Sequence, residues 1–345
     1  MRKDKSVKIP APRKLSSGSW FIQLRLDGQS VSITAPSEAE CKRRAQLLKA
    51  EHLSGKKVRT VPNSTIGELI DDYIDARRNI LSPSTILFYE RTRKNRFQTI
   101  MHRRVGDVGN WQVVLNQEAR MVSPKTLKGA WGVVSAALHA AGCDVPNVSL
   151  PSVQTAPHEY LLPEQVLALI DAVRNLPCEI GVLLGLHGLR NSEIYGLTWQ
   201  NIDLAAGSLT VDGAVVAGPD GFIAKRTNKN RTSKRTIPIM IPRLAEALSA
   251  TPANDRTGTV MTTYPSVLYK QLARVCERND LPRIGVHGLR HSFASLAYHL
   301  QVPERIAMQI GGWSDPATMH KIYTHIAQQD VNSYGAELKA FFEKR

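Results

Sequence analysis

The chain has 345 residues, 42% of them apolar, and 45 Lys and Arg against 30 Asp and Glu give a formal net charge of +15. That length suits two or three domains with ordinary cores, and the charge points to a polyanionic partner, nucleic acid first. The four cysteines, at 41, 143, 178 and 276, form no CxxC pair, no apolar run approaches membrane-spanning length, and the basic N-terminus lacks the apolar stretch of a signal peptide; a disulfide framework, a zinc site and a membrane span are excluded, and a cytoplasmic location is expected.

The positive excess is concentrated at the start, where residues 1–60 hold 14 Lys and Arg against 5 Asp and Glu, a net of +9. In that block Trp20, Ile22, Leu24 and Leu26 alternate with polar neighbours, Asp27-Gly28 turns the chain, and Val31 and Ile33 resume the alternation, which predicts a β-hairpin. Ser37 then opens a helix, SEAECKRRAQLLKAEH, that closes near Gly55, and SGKKVRTVPNS reads as a linker.

From about 62 to 150 the pattern is helical. Thr65 and Glu68 have capping-box spacing before an amphipathic run to Arg78. Ser82-Pro83 starts a second helix, a third covers 111–120, and SPKTLKGAWGVVSAALHAAG forms a fourth ending at Gly142. A second linker, Pro146 to Pro157, leads into a mixed region. Helices are expected there near 163–175, 178–188, 265–279, 287–300, 303–311, 316–324 and 330–343, and strands near 208–217, 222–226 and 235–240. The last helix carries Val331, Leu338, Phe341 and Phe342 and suits docking on its own domain or on a neighbouring protomer equally. The predicted fold is multidomain α+β: a small β-hairpin plus helix over 1–60, a helical bundle over 61–150, and a mixed, mainly α domain with a small antiparallel sheet over 151–345.

Chemistry concentrates in the last block. In GLHGLRNSEIYG, Arg190 sits at a helix start that Asn191 or Ser192 can cap, with Glu193 near its positive end, leaving the arginine fork open to a phosphate. Taken alone the motif is better read as an Arg–Glu surface pair. In HGLRHSFASLAYHL, His287 and Arg290 are three apart and share a helical face, while His291 is expected to point elsewhere and to be structural. The run AKRTNKNRTSKRTIPI offers Lys225, Lys229 and Lys234. Trp313 follows two glycines, and Tyr323 precedes Thr-His; Tyr298 and Tyr334 are its rivals. No GxxxxGK[ST] loop, HExxH or acidic metal cluster accompanies them, which disfavours nucleotide-driven and metal-dependent chemistry.

Together, Gly-Leu-Arg190-x-Ser-Glu, His287-x-Leu-Arg290-His, Gly-Gly-Trp313-Ser and Tyr323-Thr-His resemble the signature of the tyrosine recombinase (phage integrase) family over 155–330, and the layout of 1–150 is similar to integrases that carry an arm-binding module before a core-binding domain. The resemblance implies an arm-type DNA-binding domain at 1–60, a core-binding domain at 61–150 and a catalytic domain at 151–345. It implies that Tyr323 attacks the scissile phosphate to give a 3′-phosphotyrosine, that Arg190 and Arg290 hold the non-bridging oxygens, that His287 exchanges the tyrosine's proton, and that a hairpin lysine, Lys229 ahead of Lys225, protonates the leaving 5′-oxygen. Trp313 departs from the family's commoner histidine, so that it donates a hydrogen bond without exchanging a proton. No cofactor is implied. The partners implied are double-stranded DNA attachment sites, a homotetramer on DNA, an excisionase and a host DNA-bending protein, in a nucleoid-associated cytoplasmic setting. A Xer-like resolvase and a catalytically silent DNA-binding regulator on the same scaffold are the alternatives.

Overall fold

The computed structural model describes residues 8–26, 29–53, 63–153, 159–225, 234–317, 319–320, 323, 335, 339 and 341–343. The chain forms two compact units, Met1–Val153 and Gln154–Arg345.

The first unit holds two separate cores. In one, strands β1 (Arg13–Lys14), β2 (Trp20–Leu26) and β3 (Gln29–Ala35) form an antiparallel sheet in the order β1-β2-β3, with Ile22 opposite Ile33 and Leu24 opposite Val31. The period-2 pattern sends Ile22, Leu24 and Leu26 inward, where they meet Cys41 and Ala45 of helix α1 (Glu38–Leu53). Ser37 caps that helix as its sequence predicts, its hydroxyl accepting from the Glu40 amide at 3.3 Å. The expected Asp27-Gly28 turn lies outside the described residues. The edge strand β1 has no counterpart among the expected elements, because two residues carry no periodicity.

The other core is the helical bundle: α2 (Ile66–Asp75), α3 (Pro83–Asn95), α4 (Trp111–Ala119) and α5 (Pro124–Ala140). The capping box on α2 is complete. The Thr65 amide donates to the Glu68 carboxylate at 2.7 Å, and the Glu68 amide donates to the Thr65 hydroxyl at 3.2 Å. Proline occupies the first turn of α3 and of α5, where a missing N–H costs nothing. Ile66, Ile70, Leu115, Leu127, Val134 and Leu138 fill the centre, with Trp131 packed edge-on against Trp111 and Phe97.

The second unit runs α6 (Pro163–Ala172), α7 (Glu179–Leu186), α8 (Asn191–Gly196), β4 (Ile202–Asp203), β5 (Ser208–Val211), β6 (Ala214–Gly218), β7 (Gly221–Lys225), β8 (Arg235–Pro238), α9 (Pro242–Ala250), α10 (Pro265–Arg278), α11 (Val286–His299) and α12 (Glu304–Gly311). Helix α7, EIGVLLGL, is buried on nearly every side and forms the axis of the core together with Leu268, Leu272 and Leu289. Besides the two-residue strand β4, two features differ from expectation. The single strand predicted over 208–217 breaks at Asp212-Gly213 into β5, which pairs with β4 and β8, and β6, which forms a separate hairpin with β7. The break has a packing cause: the end of α8 lies so close that a Cβ on Gly196 would sit 2.6 Å from the Ala214 backbone, which turns the chain out of the first sheet. Helix α9 is the other; its apolar face is only Leu244, Ala247 and Leu248, too short a pattern to stand out beside proline. Of the two last expected helices, 316, 317, 319, 320, 323, 335, 339 and 341–343 are helical and the remainder lies outside the described residues. Among the described residues no helix is long and apolar enough to cross a membrane.

Candidate active site

The site grows from the C-terminal end of α7. His187, fully buried, has Nδ1 2.8 Å from the Leu183 carbonyl, and its Nε2 faces the Met240 amide at 2.9 Å and the Ile241 amide at 3.3 Å. Nε2 therefore accepts and Nδ1 carries the proton, so the ring is neutral. Burial pulls its pKa down to about 4, against a smaller upward pull from the Leu183 carbonyl. This ring ties the end of α7 to the segment between β8 and α9, and the chain then turns through a left-handed Gly188 into Arg190.

Arg190 is itself the residue preceding the first turn of α8, with φ −71° and ψ 151°, and Asn191 is the first helical residue. The expected cap by Asn191 or Ser192 is thus replaced by Glu193 reaching back, its carboxylate accepting from the Arg190 amide at 2.9 Å. The arginine fork is not open, as the sequence suggested. One end donates to Glu193 at 2.6 Å and the other to the Gly312 carbonyl at 2.5 Å, because three residues of helix bring the carboxylate directly under it. A flank of the side chain remains exposed, at 37%.

Glu193 is buried and serves two arginines. Arg235, the first residue of β8 and also buried, donates to Glu193 at 2.9 and 3.3 Å and to the Ile310 carbonyl at 2.7 Å. Burial pushes the Glu193 carboxyl up, but the hydrogen bond and charge of Arg235, with those of Arg190, prevail and hold it below the usual carboxylate range.

Arg290 projects from α11 and is 1% exposed, the largest fully buried side chain among the described residues. Its fork donates to the carbonyls of Gly188 and Gly311, and its guanidinium lies 3.9 Å over the Trp313 ring. Trp313 stacks in turn on Phe293, with centroids 6.1 Å apart and 12° between planes. Burial and the charge of Arg190 pull the Arg290 pKa down to about 9. Three consecutive carbonyls, Ile310, Gly311 and Gly312, therefore accept from three different arginines, Arg235, Arg290 and Arg190. The turn that presents them needs glycine. Gly312 has φ +70°, and a Cβ there would lie 2.5 Å from the Arg235 fork. An open hollow of about 400 Å³ borders this turn, edged by Lys234, Arg235, Arg305, Gly312 and Trp313.

The other residues singled out by sequence take separate positions. His287 is exposed at the start of α11, one turn before Arg290. His291 does not point elsewhere: four residues on, it shares the face, and the two imidazoles meet edge-on at 4.6 Å. Tyr323 packs against Ala294, Ala297, Ala307 and Met319 and meets the Tyr298 ring at 5.4 Å. Its hydroxyl is buried and hydrogen-bonds to none of the described residues, the arginines included; burial first, and the Glu304 carboxylate second, push the phenol up to about 12. Lys229 and Tyr334 lie outside the described residues. Lys225 ends β7, half-buried, and Lys234 donates to Asp212 at 2.9 Å. Structure thus joins Arg190, Arg290 and Trp313 into one cluster and leaves the Tyr323 hydroxyl out of hydrogen-bond reach of it. Arg235 is not among the residues that sequence motifs single out, although the alternation Arg235, Ile237 against Thr236, Pro238 already places an arginine at an inward position of β8.

The phage integrase family matches residues 159–330, a span that contains Arg190, Arg235, His287, Arg290, Trp313 and Tyr323. The integrase of Staphylococcus phage L54a is 25% identical over 202 residues, which is 50% of this chain and 57% of that protein, so the chain spans little more than half the length of this curated relative. A structure of the Tn1549 transposon integrase in complex with circular intermediate DNA aligns with TM-score 0.62 at 18% identity, covering 79% of this chain and all of that one. A lambda integrase dimer bound to a COC′ core site aligns with TM-score 0.56 at 15% identity over 93% of this chain and 96% of that one. At such identities the structural likeness speaks for the fold, and the matched span, with its arginines, tryptophan and tyrosine in order, places the C-terminal unit of this chain in the phage integrase family, the tyrosine recombinases.

Proposed function

We propose that this chain is a site-specific DNA recombinase of the integrase type, which cleaves and rejoins DNA through a 3′-phosphotyrosine and so integrates and excises a mobile element. The observation that carries the reading is the arginine cluster: Arg190, Arg235 and Arg290 converge on one turn, and Glu193 is the carboxylate that meets Arg190 and Arg235 among the described residues. Positive charge gathered and partly withdrawn from water in this way suits an anion, and a phosphodiester beside Trp313 would supply it.

In this reading the Tyr323 oxygen attacks the scissile phosphorus. Its proton passes to His287, and the bond to the 5′-oxygen breaks as Lys229 protonates that leaving group. Arg190, Arg290 and the Trp313 indole N–H hold the non-bridging oxygens and stabilise the charge of the pentacoordinate state. The phosphotyrosine conserves the bond, so that the 5′-hydroxyl of the partner strand reverses the same steps in resealing. A phenol held near pKa 12 in an apolar seat is a poor nucleophile; DNA binding would draw Tyr323 out toward the arginines. The tetramer on DNA, the excisionase, the host bending protein and the nucleoid-associated setting in a bacterial cytoplasm belong to the same proposal. In support, a lambda integrase tetramer bound to a Holliday junction is among the solved structures of similar fold.

The test is a nicked suicide duplex carrying the core site. The unaltered chain is expected to give a denaturant-resistant protein–DNA adduct, and Tyr323→Phe to bind the duplex without forming one. An adduct in the phenylalanine variant would remove Tyr323 as the nucleophile.

A further inference from the structure

Arg235 takes no part in the transfer steps just described, yet its side chain is more deeply buried than that of Arg190, at 5% against 37% exposure. It spends its donors on two partners that the phosphate-binding groups also use. One is Glu193, which holds the Arg190 amide and fork. The other is the 310–312 turn, whose next two carbonyls hold Arg290 and Arg190. All three of its guanidinium nitrogens meet these protein acceptors, so it is not placed to grip the anion itself.

We propose that Arg235 is a positioning residue for phosphoryl transfer: it fixes Glu193 and the Ile310 carbonyl at once, and thereby sets the distance and angle of the Arg190 and Arg290 forks toward a scissile phosphate. The geometry makes the role specific to arginine. A bidentate grip on a carboxylate plus a third bond from Nε to a carbonyl needs the planar five-donor fork, and an ammonium at the end of a lysine cannot span both partners. It also accounts for Gly312, since any side chain there would displace the fork from its seat. Position on β8 adds a consequence: the strand follows directly on the run that carries Lys229, so the seat of Arg235 registers that strand against the arginine cluster.

The inference rests on the recombinase reading, and its test separates the two. Arg235→Lys is compared with the unaltered chain on two suicide duplexes, one with the natural scissile phosphodiester and one in which a non-bridging oxygen is replaced by methyl, making the phosphate neutral and less dependent on arginine placement. On the natural duplex a misplacement of the forks by about 1 Å is expected to slow cleavage about 100-fold, with core-site binding and the circular dichroism spectrum unchanged. On the neutral duplex the deficit is expected to shrink by at least an order of magnitude. No deficit, or the same deficit on both duplexes, overturns the positioning role and leaves Arg235 a structural residue. Should Arg235→Lys not fold, Arg235→Gln, whose planar amide can still donate to Glu193 but cannot also reach the Ile310 carbonyl, is read on the same two duplexes by the same criteria. If the unaltered chain itself forms no adduct, the recombinase reading fails, and that outcome is told apart from failure of Arg235 by the control lane alone.

Discussion

Neutral His187 gives the second unit a built-in sensitivity to acid. Its folded pKa, about 4, lies below the unfolded value near 6.5, so between those limits the unfolded chain binds more protons and stability falls as pH falls. A shift of that size corresponds to about 3 kcal/mol in all, of which about 2 kcal/mol is gone by pH 5. Urea unfolding of the chain at pH 7 and pH 5 should show that loss. In His187→Gln, whose amide can still donate to a carbonyl and accept from an amide but has no proton to gain, the pH dependence over this window should flatten; an unchanged pH dependence would assign the acid sensitivity to other groups. Around it, single atoms decide much of the site: one carboxylate serves two arginines, and three successive carbonyls serve three. In such a buried ionic arrangement each partner depends on the others, since removing one leaves an uncompensated charge.

At the scale of elements, the chain between β7 and β8 carries Lys229. Lys229 as the leaving-group acid predicts that Lys229→Ala cleaves slowly on natural DNA and near normally on a duplex with a 5′-bridging phosphorothiolate, because the thiolate leaves without protonation. Rescue confined to Lys225→Ala would transfer the role to the end of β7. Most elements are legible in the chain itself where a local cause is strong: the alternation of Ile22, Leu24 and Leu26, the Thr65–Glu68 box, and proline at the starts of α3, α5, α6 and α10. What escapes has a long-range cause. The break after β5 depends on Gly196 approaching Ala214, and the engaged fork of Arg190 depends on Gly312, 122 residues away. The ring contact of His287 with His291 is within reach of the i, i+4 rule, against the expectation that His291 points elsewhere. Motif order sets Arg290 and Trp313 in one expected site, but their stacking on one another is a tertiary fact that motif order does not contain.

For the whole molecule, the first 60 residues hold a net charge of +9 out of +15, and their described part is a three-stranded sheet backed by a helix with its own small core. A self-contained basic module of this kind is expected to act on DNA apart from the cleavage site. Deleting residues 1–60 should leave cleavage of a core suicide duplex intact, weaken binding to full attachment sites with a reduced salt dependence, and impair integration between them. Integration at an undiminished rate by the truncated chain would remove the arm-binding role and favour a resolvase-like use of the same catalytic unit. The central claim, transesterification by Tyr323 beside a three-arginine cluster, is tested most directly by digesting the protein–DNA adduct trapped on the nicked core duplex and sequencing the DNA-linked peptide by mass spectrometry. One modified peptide is expected, bearing a 3′-phosphate on Tyr323; linkage at Tyr298, Tyr334 or a serine, or a 5′-phosphate linkage, would contradict the claim.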